Sequence, residues 1–389
     1  MRLAFLTSLI PVARPDTGFE IANAAVLDAL REAGHEVTAF GFLRPGETPA
    51  APEGAVVIGA FEIENAAVGT GTKLNWIAQA LRRGLPIACA KLRLEGEGKL
   101  VEAVRAKGPF DAIVLNSVML PGAFPELLTL GPCVLVEHNI EHASAQENAR
   151  HAGSLPMRWL FVREARLLER IERRLWEQAR FVWTLAAEDR AALGPALQAR
   201  SAVLPLVSAR NPVTEAGAEP PITHDIGLIG TWTWMPNFIG LDWFLREVCP
   251  LLPPDLSIAV AGRLPPDMPP VPANVTLAGR VPDADAFLRA CRIVALSSRA
   301  GTGVQLKTIE TMQLGLPAVA TGLSLRGFTE VPPNFSRADT AEAFAQALVE
   351  RIAQIRAGDP QRSDGAAFVA SQRAALMAAL EQGLAAARR

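Results

Sequence analysis

The stretch Gly301-Thr-Gly-Val-Gln-Leu-Lys307-Thr-Ile-Glu310 combines backbone freedom, an ammonium and a carboxylate. The short apolar run Ile293-Val-Ala-Leu-Ser297 precedes it as a strand, and Leu306, Ile309 and Gln313 follow at helical spacing, closed by Gly315 and Pro317. A helix start leaves N–H groups without intrahelical partners and carries about half a positive charge, so it welcomes an anion, and a diphosphate fits. Gly303, Lys307 and Glu310 fall at steps of four and three, which predicts one helix face with the Lys307 side chain leaning back toward that anion. Glu310 comes one turn later, roughly 5 Å along the axis, where a carboxylate would accept hydrogen bonds from ribose hydroxyls. A plain glycine loop, a solvated lysine and a surface carboxylate would be written with the same letters.

The company of this motif narrows the choice. Ile226-Gly-Leu-Ile-Gly230-Thr231-Trp-Thr-Trp-Met-Pro236-Asn237, then Val275-Thr-Leu-Ala-Gly279-Arg280-Val281-Pro-Asp283, then Gly301 through Thr321 occur in that order. Together they resemble the donor domain of the GT-B glycosyltransferases of family 4 (glycosyltransferase group 1). Glu137-His138-Asn139-Ile140-Glu141 and Ala187-Glu188-Asp189-Arg190 are similar to segments of the acceptor domain, so the resemblance spans nearly the whole chain.

The resemblance implies that Gly301, Thr302, Gly303 and Lys307 hold the diphosphate of a nucleoside-diphosphate sugar and Glu310 its ribose. Gly230 and Thr231 would close the same donor site, with the base against Gly279, Arg280 and Val281. Gly18, after Pro15-Asp16-Thr17, matches the family's glycine loop near the donor phosphate and sugar. His138 and Glu141 are the catalytic candidates, His138 hydrogen bonding the donor sugar while a phosphate oxygen takes the acceptor proton in a retaining transfer. Two features depart from the family pattern. Thr302 stands where relatives carry the first glutamate of Glu-x7-Glu, and no Arg or Lys follows the first donor-domain strand, a gap that Lys307 would fill as counter-charge. Arg280 reads equally as a surface arginine, and His138 equally as a cap of the next helix.

Composition sets the limits. The 389 residues suit two domains, with half of them hydrophobic, a fifth charged and a net charge of −2. That balance points to a globular protein and away from disorder or a nucleic-acid polycation. Cys89, Cys133, Cys249 and Cys291 are isolated and form no Cys-x-x-Cys pair, so reduced, buried thiols are expected. His138 and His142 stand in the order His-Asn-Ile-Glu-His, unlike His-Glu-x-x-His, and no metal is expected with them or with His151. No Gly-x-Gly-x-x-Gly follows the first strand and no P-loop occurs, which weighs against dinucleotide enzymes and ATPases. Met1 to Ser8 is too short an apolar run for a signal peptide and no run approaches a membrane span of about 20 residues. A cytoplasmic protein is expected.

Elements alternate. Strands are expected at 2–6, 35–42, 55–59, 86–90, 112–115, 133–136, 181–184 and 202–205, with helices at 19–33, 75–83, 157–180 and near Glu188. A Pro-rich run 209–222 reads as a linker. A second set of strands, 225–230, 256–262, 275–278, 293–297 and 317–321, is closed by helices at 341–357 and 365–387. The expected fold class is α/β, two Rossmann-like doubly wound domains facing across a cleft, which the resemblance implies to be GT-B. Its parts are an acceptor-side domain 1–208, the linker 209–222, a nucleotide-sugar-binding domain 223–360 and a C-terminal helix 361–389 that in the family crosses back onto the first domain.

The sequence therefore reads as a metal-independent, hexosyltransferase-like glycosyltransferase without a cofactor, moving a sugar from a nucleotide-sugar donor to a glycan or lipid-linked acceptor in bacterial surface polysaccharide synthesis. Nucleic acid is not among the expected partners. The alternatives are a GT-B scaffold or binding protein without transfer, and a GT-B nucleotide-sugar epimerase. The stretch 157–180 interleaves seven arginines with leucines and glutamates, which leaves open a solvated face with i, i+4 pairs or contact with an anionic inner membrane face.

Overall fold

A computed structural model describes residues 1–13, 15, 17–62, 68–207 and 220–388. Most of the expected linker, 209–219, lies outside the described residues, as do Arg14 and Asp16 before the first helix. The chain divides into two compact units: Met1–Leu206 joined by the chain end from Ala374, and Val207–Arg373.

Unit 1 is built on a seven-stranded parallel sheet. Its elements run β1 (Arg2–Leu9), α1 (Gly18–Glu32), β2 (Glu36–Leu43), β3 (Ala55–Ala60), α2 (Thr70–Arg83), α3 (Ile87–Gly96), α4 (Leu100–Lys107), β4 (Ala112–Asn116), α5 (Met119–Ala123), β5 (Cys133–Glu137), α6 (Glu141–Arg150), α7 (Leu155–Gln178), β6 (Phe181–Thr184), α8 (Ala187–Ala192) and β7 (Ser201–Val203). The spatial order is β3-β2-β1-β4-β5-β6-β7, so the chain reverses direction across the sheet between β1 and β4. All five residues of β4 and of β5 are buried, as strands covered on both faces by crossover helices must be.

One expected strand is a helix. The run Pro86 to Ala90 opens α3, because Pro86 has no N–H to give a sheet and the carboxylate of Glu164 accepts the Ile87 N–H at 2.7 Å. Cys89, Ala90 and Leu92 are then buried at one side of the helix, a spacing too short to separate from a strand by letters alone.

Unit 2 repeats the plan with six parallel strands. β8 (His224–Thr231), α9 (Met235–Trp243), β9 (Ile258–Arg263), β10 (Val275–Gly279), α10 (Ala284–Arg289), β11 (Cys291–Leu296), α11 (Leu306–Gln313), β12 (Ala318–Ala320), β13 (Phe335–Arg337) and α12 (Ala341–Arg356) form it. The order β10-β9-β8-β11-β12-β13 puts the reversal between β8 and β11. β13 has only three residues and carries no alternation that a sequence could show. At Gly262 (φ 113°) a Cβ would lie 1.9 Å from the Gly230 carbonyl oxygen, so only glycine lets β9 pass β8 there.

The last helix, α13 (Gly365–Ala387), begins in unit 2 and ends in unit 1. Within unit 1 the fully buried Trp183 donates its indole N–H to the Ala379 carbonyl at 2.8 Å. Gly383 lies flat on the same indole, where a Cβ would meet ring carbon Cζ2 at 2.3 Å. Gly383→Ala would gain about 1 kcal/mol of helix propensity yet drive a methyl into an immobile ring, an overpacking cost of about 1–3 kcal/mol. A net loss of stability in urea denaturation is expected, and an unchanged or raised midpoint would show that the helix end is not held on Trp183.

Candidate functional site

In an open α/β sheet, ligands bind beyond the carboxyl ends of the strands at the point where the strand order reverses. In unit 2 that point is flanked by the segment after β8 (Thr231 to Trp234) and the segment after β11 (Ser297 to Gln305). The donor candidates Gly230, Thr231, Gly301, Thr302, Gly303 and Lys307 belong to these segments and to the start of α11.

The second segment is fixed from beneath. The Ser324 hydroxyl donates to the Leu296 carbonyl at 2.6 Å and accepts the Ser298 N–H at 3.1 Å, while Thr321 Oγ1 donates to the Ser298 carbonyl at 2.6 Å. Thr308 Oγ1 donates to the Ser324 carbonyl at 2.8 Å, which ties the first turn of α11 to the same group. Every one of these side chains is buried. α11 starts at Leu306 with Gln305 as its flanking residue, and no side chain caps it. Gly303 therefore precedes the helix and does not share its face with Lys307 and Glu310, which are three apart in it. The helix begins later than the glycines suggest because Gln305 is in extended backbone, with φ −88° and ψ 108°.

Lys307 is half-buried. Its Nζ donates to Asn237 Oδ1 at 3.4 Å and stands 5.6 Å from the centre of the Trp232 ring. Among the described residues no carboxylate pairs with it. Burial pushes its ammonium down to about 8, because charge taken from water without an opposite charge is unfavourable. Asn237 is held in turn by a bond from its Nδ2 to the Thr231 carbonyl, 3.2 Å. Glu310 is half-buried one turn on from Lys307, while Arg280 is exposed and Val281 half-buried just past the carboxyl end of β10.

In unit 1 the reversal lies between β1 and β4, and a chain of amides crosses it. Asn23 on α1 donates through Nδ2 to the Leu9 carbonyl. Its Oδ1 accepts from Asn116 Nδ2 at 2.5 Å, and Asn116 Oδ1 meets His138 Nε2 at 3.0 Å. The polarity is forced from one end. A carbonyl only accepts, so Asn23 must turn its NH2 toward Leu9, Asn116 must donate to Asn23, and His138 must donate from Nε2. His138 is thereby set as the Nε2–H tautomer with Nδ1 as acceptor. Burial lowers its pKa to about 4, which keeps the ring neutral near pH 7. The Phe19 ring, next to Gly18 at the start of α1, packs on it with centroids 5.1 Å apart. His138 does not cap α6, whose flanking residue is Ile140.

The α6 start is capped instead from α7. The buried Glu172 accepts the Glu141 N–H at 2.5 Å and the His142 N–H at 3.3 Å, and bonds His142 Nδ1. Burial, and next the charge of Glu172, raise the Glu141 carboxyl to about 7. Glu137, whose Oε2 accepts from Trp176 Nε1 at 2.8 Å, is raised well above its usual range by burial first and Glu172 second. Asn23, Asn116 and Glu172 are invisible as site residues in the sequence; only the fold brings them to His138 and Glu141. Ser117, directly after β4, has φ 129°, an unusual backbone for a residue with a Cβ, and its buried hydroxyl has no partner among the described residues. Among those residues no cluster of His, Cys, Asp and Glu could hold a metal ion.

Known proteins share the family match of unit 2 and the fold of the whole chain. Residues 223–354 match the family Glycosyl transferases group 1. No curated relative matches by sequence. Among solved structures, sucrose-phosphate synthase from Thermosynechococcus elongatus superposes with a TM-score of 0.69 at 14% identity, over 98% of this chain and 97% of that one. HepE from Anabaena in complex with UDP gives 0.59 at 15% identity, covering 98% of each. WaaG, a glycosyltransferase involved in lipopolysaccharide biosynthesis, gives 0.59 at 14% identity, covering 96% and 95%. At these identities the likeness establishes the fold, which is that of the GT-B glycosyltransferases.

If Lys307 is the phosphate counter-charge, bound anion must restore its proton. The complex then holds more protons than the free protein above pH 8, and affinity falls as pH rises, by up to about tenfold per unit. The phosphates of a nucleoside diphosphate, with a last pKa near 6, are already fully ionised there. Titration calorimetry with UDP, GDP or ADP from pH 7 to 9.5 should show this fall, and Lys307→Arg should remove it. The same fall persisting in the arginine variant would place the responsible proton elsewhere.

Proposed function

We propose that this chain, whose residues 223–354 form a glycosyl transferases group 1 domain, moves a sugar from a nucleoside-diphosphate sugar to a glycan or lipid-linked acceptor. The observation that carries this reading is Lys307, a half-buried cation without a carboxylate partner among the described residues, beside an uncapped helix start at the reversal point of a parallel sheet. Such a place is stable in water chiefly when an anion completes it. Glu310, one turn on, is the ribose acceptor of hydrogen bonds, and Arg280 and Val281 border the base.

The transfer is retaining. The bond between the anomeric carbon and the donor phosphate oxygen breaks, the acceptor oxygen bonds that carbon on the same face, and the acceptor proton passes to the departing phosphate. No cofactor and no metal take part. Lys307 and the first N–H groups of α11 stabilise the charge that grows on the leaving diphosphate. His138, neutral and oriented by Asn116, hydrogen bonds the transferred sugar, and Glu141, its carboxyl raised to about 7 by burial, hydrogen bonds the acceptor without taking its proton. HepE, solved with UDP, favours a nucleoside-diphosphate donor, and WaaG, involved in lipopolysaccharide biosynthesis, favours a bacterial surface glycan as product.

Thermal shift with UDP-, GDP- and ADP-sugars, followed by turnover assays on the best binder, tests the reading. A nucleotide-dependent rise in Tm is expected, with His138→Ala keeping nucleotide affinity while losing at least about a hundredfold in turnover. No shift with any of the three nucleotides removes the donor site and the activity together.

A lipid-linked acceptor would be met at a membrane. The start of α7 exposes Leu155, Met157 and Trp159, and α2 exposes Leu74 and Leu81. Arg163 joins the two helices through bonds to the Ala80 and Leu85 carbonyls at 2.8 and 3.1 Å. Exposed Arg158, Arg166, Arg170 and Arg174 give α7 the charge to meet anionic headgroups. No described helix is long and apolar enough to cross a membrane. Flotation with phosphatidylglycerol vesicles should recover the wild type and far less of Leu155→Ser/Trp159→Ser, while neutral vesicles should recover neither. Absence of the wild type from the anionic fraction would refute membrane contact by this face.

A further inference from the structure

We infer that Trp234 is the platform on which the transferred sugar of the donor stacks, an assignment that rests on the donor-site reading above. The stretch Trp232-Thr-Trp234-Met235 after β8 carries three large apolar side chains in four residues, and they part company. Trp232 is buried, its indole N–H bonded to the Ala261 carbonyl at 2.8 Å, and its ring underlies Lys307. Trp234 and Met235 are 54% and 61% exposed. An exposed tryptophan at the carboxyl end of a central strand leaves a large apolar face in water, a cost that a ligand relieves.

Its position says which part of the ligand. The Trp234 indole reaches Gly301: a Cβ on that glycine would sit 4.0 Å from its Cη2 and 3.6 Å from Pro236 Cβ. The Trp234 backbone is held as well, its N–H donating to the Thr231 carbonyl at 3.2 Å and its carbonyl accepting from Phe238 at 3.0 Å, so the ring stands at the fixed root of α9. On the donor-site reading the diphosphate would sit at the start of α11 and the ribose would run along that helix toward Glu310. The other phosphate substituent, the sugar, must then leave in the opposite direction, past Gly301 and Thr302, where Trp234 stands. A pyranose has an apolar C–H face, and the electron-rich face of an indole attracts such edges.

The arrangement also accounts for two departures from the family pattern. A carboxylate in place of Thr302 would grip sugar hydroxyls by charged hydrogen bonds. With Thr302 there, and no cation after β8, shape and stacking on Trp234 take over orientation. Selectivity would then follow which ring face is free of axial hydroxyls.

Trp234→Ala and Trp234→Phe should be titrated with the best-binding of UDP-glucose, GDP-mannose and ADP-glucose and with the matching free diphosphate. The alanine variant is expected to lose at least fivefold in affinity for the nucleotide sugar and less than twofold for the diphosphate, and phenylalanine should recover most of the loss. The exposed position keeps the substitutions out of the core, and equal melting temperatures without ligand check this. Equal losses for both ligands would place the ring against the nucleotide, and no loss for either would leave it without a ligand; both overturn the assignment while the donor site itself stands. Failure of the wild type to bind any of the diphosphates would instead remove the parent reading.

Discussion

A lysine ammonium that is taken partly out of water, with no carboxylate paired to it among the described residues, is the constraint around which unit 2 is organised. The fall of Lys307 from its ordinary value to about 8 corresponds to about 3 kcal/mol of unfavourable charging. A neutral amide oxygen and an indole face offset part of it. A salt bridge at this position would have been cheaper for stability and useless for anions, since the cation would already be neutralised. The hydroxyl cluster of Ser298, Thr321 and Ser324 is the counterpart of this expense. It holds the segment between β11 and α11 without placing any charge near the helix start.

Unit 1 meets the same requirement with the opposite means. There the polar groups at the sheet reversal are neutral amides in series, and a carbonyl at one end decides the orientation of all of them. His138 gains a defined tautomer without a carboxylate, so its ring is not pushed toward the imidazolium form. The acidic residues nearby are kept apart from it in role. Glu172 is consumed as the cap of α6, and burial first and its negative charge second raise Glu141 and Glu137. The sign of that linkage is opposite to the histidine's. A carboxyl raised above its unfolded value contributes stability as pH falls from 7 toward 4.5, whereas a histidine lowered to about 4 loses stability as pH falls below 6.5. The two effects oppose one another across the same window.

The alternation of strands and helices was legible in the sequence because buried parallel strands are continuous apolar runs and the helices between them are periodic. It failed at Pro86 to Ala90, where five small apolar residues fit either element and a glutamate 77 residues away decided for helix. It failed again at β13, which is too short to carry a pattern. The motif at Gly301 to Glu310 was legible as chemistry but not as geometry. Glycine spacing suggested an anion site, while the helix start at Leu306 is set by the extended backbone of Gln305 and the bond from Lys307 to Asn237 joins residues 70 positions apart. His138 was legible from the family resemblance alone, and the amides that orient it were not, since Asn23 and Asn116 sit in segments with no motif.

The pair Trp232 and Trp234 shows why the missing cation after β8 need not mean a missing function. Two residues apart, they fall where the strand gives way to a turn, and the turn at Thr231 to Trp234 sends one ring inward and the other outward. The inward ring supplies the negative face that a lysine from α11 approaches, so the positive charge comes to the proposed anion site from the far side of the reversal point. The outward ring is left more than half exposed beside Gly301. A cation attached directly to β8 would have filled the space above Gly301 with a flexible chain. By importing the charge from α11, the fold keeps that space open and lines it with a rigid apolar surface, and an uncharged ring attached to a diphosphate is the ligand part that such a surface suits.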